Sequence, residues 1–277
     1  MKVIKVINNN LIKSYDENKN EILVMGCGLG FSKRAGDEID ESLIERVYTC
    51  QDRVNSNQMI DLLQKIPLEH IQVTNQIISF AKASLGKKLN KNIYITLADH
   101  INCALDRHAD GMVIRNALLW EIKKFYNHEF LIGKEALVII RERLGVTLPE
   151  DEAGFIALHL VNALMDDISM QKTTEMTKMI DQILSIIKYH FNVELDEYSI
   201  HYERLITHLK FFSQRVFSGV VITNGDPSFL NVLKKQYQRE YQCTEKVKAF
   251  IQKEYGYDLS EDEMIYLTIH IKRMANN

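Results

Sequence analysis

Residues 144–159, LGVTLPEDEAGFIALH, return at 255–270 as YGYDLSEDEMIYLTIH, at a constant offset of 111. Gly145 falls on Gly256, Leu148 on Leu259, Glu150-Asp151-Glu152 on Glu261-Asp262-Glu263, and His159 on His270. Upstream, DHINCALDR (99–107) aligns with THLKFFSQR (207–215) at an offset of 108, setting His100 on His208 and Arg107 on Arg215. A loop insertion accounts for the three-residue difference. Self-similarity of this kind means one folding unit in two copies, so a fold assigned to one copy must serve the other.

The repeated unit reads as helical. From residue 65 the apolar residues recur at helical spacing. LEHIQVTNQIISFAKASLG ends in Gly86 as a C-cap, and NIYITLADHINCALDRHADG ends at Gly111. IRNALLWEIKKFYNH, GKEALVIIRERLG and PEDEAGFIALHLVNALM follow, which makes five helices on short loops, a bundle. The polar stretch DDISMQKTTEMTK (166–178) separates this set from a second, expected at 177–192, 198–217, 228–242, 243–256 and 260–275. Ser260 and Glu263 read as a capping box, and the acidic runs 150–152 and 261–263 as first-turn residues favoured by the helix dipole.

The first 35 residues obey a different period. KVIKVI (2–7), LIKSY (11–15), EILVM (21–25) and LGFSK (29–33) are short, rich in β-branched and aromatic residues, and parted by turn signals, with DENKN (16–20) as a hairpin loop. They predict a small antiparallel sheet. About 55 residues is marginal for an independent fold, so one face needs a cover, which dimerisation would supply. RVNSNQMI (53–60) reads as a linker. The expected architecture is therefore a β-sheet domain at 1–56 followed by two duplicated all-α bundles, at 65–170 and 171–277.

A formal net charge of −3 over 277 residues excludes coating of nucleic acid or membrane by bulk charge, so a nucleic-acid site must be local. Such a patch exists. Lys2, Lys5, Lys13, Lys19, Lys33 and Arg34 against Asp16, Glu17 and Glu21 give residues 1–36 a balance of +3. The four cysteines, 27, 50, 103 and 243, form no C-x-x-C pair, which suits a reducing cytoplasm. No secretory h-region opens the sequence and no run reaches transmembrane length, so the protein is expected in the cytoplasm.

Four histidines, His100, His159, His208 and His270, occupy matching positions in the two copies, and the other five have no partner histidine in the alignment. Three chemistries use such residues. Metal binding on one helix wants histidines three or four apart, and the nearest pair, His201 and His208, is seven apart. Acid–base or triad catalysis wants a nucleophile in a strained turn or paired carboxylates, and no G-x-S-x-G occurs. No catalytic residue, metal ligand or cofactor is therefore assigned, and the chain does not read as an enzyme. Phosphoryl acceptance fits: a neutral imidazole is nucleophilic near pH 7, and the product carries about two added negative charges. Arg107 and Arg215, two turns beyond His100 and His208, and Arg273, three residues beyond His270, are candidates to pair with that phosphate or else solvated surface charges. The glycines of GCGLG (26–30) lack the following helix that a dinucleotide fold requires, and read as a turn, a bulge or a close backbone approach.

KVINNN, MGCGLGFSKRAGDEID, LADHIN, NALLWEIKKFY, GKEALVII, LPEDEAGFIALHLVNA, THLKFF and YLTIHI together resemble the BglG/SacY/LicT-type transcriptional antiterminators, nearest the LicT-like branch, from Met1 to the C-terminus. The resemblance implies an RNA-binding domain that dimerises on a leader mRNA hairpin overlapping a terminator, followed by two regulatory domains phosphorylated by the sugar phosphotransferase system. His100 and His159 match the phosphorylation sites of the first, addressed mainly by a sugar-specific enzyme II permease. His208 and His270 match those of the second, addressed by the phosphocarrier HPr. RNA contacts map onto Lys5, Asn8, Asn9, Asn10, Gly26, Gly28 and Phe31, and β-glucosides are the implied inducers. Cys27 stands where relatives usually carry a basic residue, which implies weaker phosphate contact. A phosphotransferase-regulated DNA-binding activator is the alternative, and would need a helix-turn-helix. A helical hydrolase with a histidine metal site across helices ranks third.

Overall fold

The computed structural model of the chain describes residues 1–49, 65–165, 170–219 and 227–275. The linker read at 53–60 lies outside them. In chain order the elements are β1 (Lys5–Asn8), β2 (Leu11–Tyr15), β3 (Glu21–Met25), β4 (Arg46–Thr49), α1 (Leu68–Leu85), α2 (Ile93–Ala109), α3 (Leu119–Phe125), α4 (Asn127–Leu144), α5 (Glu150–Leu164), α6 (Met170–Phe191), α7 (Ile200–Ser218), α8 (Pro227–Gln236), α9 (Gln238–Tyr255) and α10 (Glu261–Ala275). Contacts divide them into two compact units, one of residues 1–116 with 128–166, the other of 117–127 with 167–277.

The first unit begins with a four-stranded antiparallel sheet in the order β1-β2-β3-β4. Its period of two sends alternate side chains to opposite faces. Ile12, Ile22 and Val24 join Val3, Leu29 and Ile39 in a small core on one face. Leu11, Leu23 and Met25, on the other, enter the large helical core with Ile66, Ile71 and Ile77. The face expected to be covered by a second copy is thus covered by the chain's own helices. Arg46 adds a cation–π contact, 4.0 Å from the Tyr94 ring centroid, and hydrogen-bonds the Tyr94 hydroxyl.

The fourth strand is not LGFSK. Gly28 and Ser32 have φ of 68° and 56°, values a strand does not tolerate, so the segment is a string of turns with Leu29 tucked into the small core. RVYT (46–49) supplies β4 instead.

The duplication is visible in the helix bounds. α4 and α9, and likewise α5 and α10, begin and end at positions 111 apart. α5 packs on α2 in the first unit as α10 packs on α7 in the second. Three expectations need correcting. IRNALLWEIKKFYNH holds the short α3, which belongs by its contacts to the second unit, and the first two residues of α4. The chain breaks at Tyr126 (φ −126°, ψ 45°) and again at Tyr237 (φ −126°, ψ 54°), so α9 starts at Gln238 and not at 243. The polar stretch 166–178 is helical from Met170, because Thr173 and Thr177 face the core. The Thr177 hydroxyl satisfies itself on the Thr173 carbonyl, 2.9 Å away, which lets a polar composition hide a buried stripe.

Candidate functional site

The N-terminal site is an edge built from two loops. Asn8 Oδ1 accepts from the Asn10 N–H at 2.8 Å, an Asx turn that closes the β1–β2 hairpin. Asn10 Oδ1 then accepts from the Gly28 N–H at 2.9 Å, and the carbonyls of Asn9 and Asn10 take the N–H groups of Gly30 and Gly26 at 2.8 and 3.0 Å. The asparagine turn and the glycine loop are therefore one hydrogen-bonded body. A Cβ on Gly30 would stand 2.3 Å from the Asn8 carbonyl oxygen, so only glycine permits that approach. Asn9 does not take the left-handed conformation; among the described non-glycine residues Lys19, Ser32 and Asn192 do. Lys5 and Asn9 are exposed on this edge, Asn8, Asn10 and Gly28 half-buried, and Gly26 buried. Phe31 is 66% exposed, an unusual position for a large aromatic. Asn8, Asn10, Leu11 and Met25 line a small cleft with Ile66, Leu68 and Ile71.

The four aligned histidines meet in two pairs. His100 on α2 and His159 on α5 have ring centroids 4.9 Å apart. His208 on α7 and His270 on α10 lie 5.0 Å apart, nearly stacked. Phe155 flanks His100 and Tyr266 flanks His208, each at 5.8 Å and at aligned positions. Burial, then the neighbouring His100, takes His159 down to about 3. Burial, then His270 and Arg215, takes His208 down to about 4. His270 is lowered by burial and by Arg273 and Arg204. These three imidazoles are neutral at pH 7, the state in which a ring nitrogen keeps its lone pair for nucleophilic attack.

Behind each pair lies a buried carboxylate. Glu152 and Glu263 are 3% and 1% exposed. Arg107 Nη2 donates to Glu152 Oε1 at 3.0 Å, and Arg215 Nε donates to Glu263 Oε1 at 3.3 Å. These arginines are therefore committed to ion pairs and are not solvated surface charges. Arg273 is exposed and acts on His270 through its charge. Burial pushes Glu152 up, but His100 and Arg107 outweigh it and hold the carboxyl below the usual range. The capping box is present, with Ser260 N–H donating to Glu263 Oε2 at 3.1 Å and Glu263 N–H to Ser260 Oγ at 3.3 Å. No group of three or more His, Cys, Asp or Glu that could hold a metal occurs among the described residues.

Residues 1–57 match the CAT RNA binding domain, and residues 75–163 and 181–274 each match the PRD domain. The chain is 50% identical over 275 residues to the transcription antiterminator LicT of Bacillus subtilis, covering 99% of both chains. It is 44% identical to the beta-glucoside operon antiterminator of Dickeya chrysanthemi, covering 100% of this chain and 97% of that one. The chain belongs to the BglG/LicT-type antiterminators. A crystal structure of GlcT CAT-PRDI, 32% identical, superposes with a TM-score of 0.52 over 60% of this chain and 98% of its own.

In this antiterminator the sequence missed Glu152 and Glu263 as members of the histidine sites. Their position at the start of a helix already explained an acidic residue. The signal lay in combining both offsets: a Glu 111 residues from its copy and an Arg 108 residues from its copy can only pair twice if the helices pack twice. The structural use of Asn8 and Asn10 was also missed: GCGLG reads as a turn or a close backbone approach, but nothing in the sequence says that the Asn10 side chain takes the Gly28 N–H or that Asn8 takes that of Asn10.

Proposed function

We propose that the protein binds a leader mRNA hairpin through the edge formed by Lys5, Asn8, Asn9, Asn10, Gly26, Gly28 and Phe31, and holds it against terminator formation. Phosphorylation of His100 and His159 by a sugar-specific enzyme II permease, and of His208 and His270 by HPr, would control that binding. The division at 1–56, 65–170 and 171–277 separates the reader from the two regulated domains. The observation that carries the reading is the meeting of all four repeated histidines in two pairs, at 4.9 and 5.0 Å, within a chain whose first 57 residues match an RNA-binding domain.

The chemistry is consistent at both sites. Asparagines offer both donors and acceptors to base edges, and an exposed phenylalanine beside them gives a base a surface on which to stack, as single-stranded and bulged RNA prefers. Cys27, exposed in the same loop, brings no cation to the phosphates. A phosphoryl group adds about two negative charges, on His100 beside the carboxylate of Glu152 and on His208 within the field of Arg215, the partner of Glu263. The ion pairs must then rearrange, and α2 on α5 or α7 on α10 with them.

Homology to a beta-glucoside operon antiterminator favours β-glucosides as inducers. A homodimer in the cytoplasm is the expected working state; no described helix is long and apolar enough to cross a membrane. A DNA-binding activator would need a helix-turn-helix near its start, and the described residues 1–49 hold four strands and one 3-10 turn. A gel-shift titration of the chain against an imperfect hairpin from the leader of its neighbouring genes tests the reading. Preference over unrelated RNA is expected, and equal affinity for both would refute it.

A further inference from the structure

The two histidine sites are not chemically equal, and the cause is two substitutions between the copies. In the second copy local donors engage both oxygens of Glu263. The Tyr257 hydroxyl donates to Glu263 Oε1 and Oε2 at 3.1 and 3.2 Å, and the Ser260 N–H donates to Oε2. His208 Nε2 is left with no hydrogen-bond partner among the described residues. In the first copy the residue aligned with Tyr257 is Val146, which has no hydroxyl. The residue aligned with Ser260 is Pro149, which has neither a backbone N–H nor a side-chain cap. Both local donors are gone. Glu152 keeps Arg107 on Oε1, and its Oε2 stands 3.0 Å from His100 Nε2. The approach is off the line of a good hydrogen bond, yet neither atom has another partner among the described residues.

We propose that Glu152 is a positioning residue for His100, released for that role by Val146 and Pro149, and that Tyr257 and Ser260 deny the same role to Glu263. This rests on the reading of His100 and His208 as phosphoryl acceptors. A carboxylate against Nε2 selects the tautomer with its proton there and the lone pair on Nδ1. The nitrogen with the lone pair attacks phosphorus, the donor's P–N bond breaks, and the donor nitrogen keeps the electron pair and takes up a proton. In the first copy, transfer to Nε2 must therefore wait for Glu152 to withdraw, and a phosphoryl group there would displace the carboxylate and compete with it for Arg107. In the second copy no carboxylate among the described residues pairs with Nε2. The first site is latched and the second is not.

Long-range 1H–15N spectra of the histidine rings in the full chain at neutral pH read the tautomers directly. His100 is expected with its proton on Nε2. The swap V146Y with P149S should draw Glu152 onto the new donors and convert His100 to a mixture of tautomers, while Y257V with S260P should move His208 to the Nε2–H form. Should a double variant fail to fold, P149S or S260P alone is expected to shift the same ring in the same direction. A wild-type spectrum with the His100 proton on Nδ1, or swaps that leave both rings unchanged in folded protein, would overturn the proposal. Phosphoramidate, a small phosphoryl donor, then separates the two readings. Transfer to His100 Nε2 several-fold faster in the first swap supports the latch. An unchanged rate overturns it as a control of transfer, and tautomers that move with no label on any histidine leave Glu152 as a positioning residue but remove the phosphoacceptor reading.

Discussion

Asn10 does two jobs with two different atoms. Its Oδ1 clasps the Gly28 N–H, and its Nδ2 is the donor left to meet a base. Asn10→Ala removes both and cannot distinguish them: it frees a loop N–H, at a cost of about 1 kcal/mol, and it removes the RNA contact. Asn10→Asp keeps an acceptor for Gly28 while deleting the donor. The expected outcome is an unchanged melting temperature, with hairpin affinity lower by roughly ten- to a hundredfold, about 1–3 kcal/mol if an RNA base contact is worth as much as one in a DNA groove. Equal loss of stability in both variants would make the residue a loop clasp alone. The same distinction governs Phe31: its side chain is exposed, so Phe31→Ala should weaken RNA binding by about 1–3 kcal/mol with little effect on a denaturant melt.

At the scale of the helix pair, the buried neutral imidazoles tie stability to pH. An unfolded histidine takes a proton below about pH 6.5, whereas burial holds His208 neutral to about 4 and His159 to about 3. Between those values the unfolded chain binds more protons than the folded one. Stability is therefore full above pH 6.5 and falls as pH drops towards 4, by up to about 1.4 kcal/mol per pH unit for each such histidine. Urea melts at pH 7, 6 and 5 should show that slope, and His208→Gln should flatten it. The helices themselves were largely legible, since periodicity and the 111-residue repeat located α4, α5, α9 and α10. The break expected between 242 and 243 falls at Tyr237 instead, for a physical reason: no glycine or proline marks it, and helix period continues across it. Its copy at Tyr126, in the same backbone conformation, was the available clue. Ion pairs such as Arg107–Glu152 were illegible because helix-end charges read alike whether solvated or buried.

Across the whole molecule, the sheet face of Leu11, Leu23 and Met25 decides which partners the RNA-binding domain can have. That face is buried in the helical core with Ile66 and Ile71, and the cleft beside it holds Asn8 and Asn10. The sequence showed that the face needs a cover but could not say which, because an apolar stripe fits any apolar partner. A second copy and the chain's own helices cannot occupy it together. Residues 1–56 alone are expected to dimerise by sedimentation and to bind the hairpin more tightly than the unphosphorylated full chain; a monomeric fragment of equal affinity would show that the cover is neutral. The central claim, that histidine phosphorylation governs RNA reading, is tested most directly by one titration. The leader hairpin is titrated with the full chain before and after phosphorylation by HPr, with a His208→Ala, His270→Ala variant alongside. The account predicts a gain in affinity of at least about tenfold, roughly 1.4 kcal/mol, that the variant lacks. The same affinity before and after, or a gain that survives the variant, would contradict it.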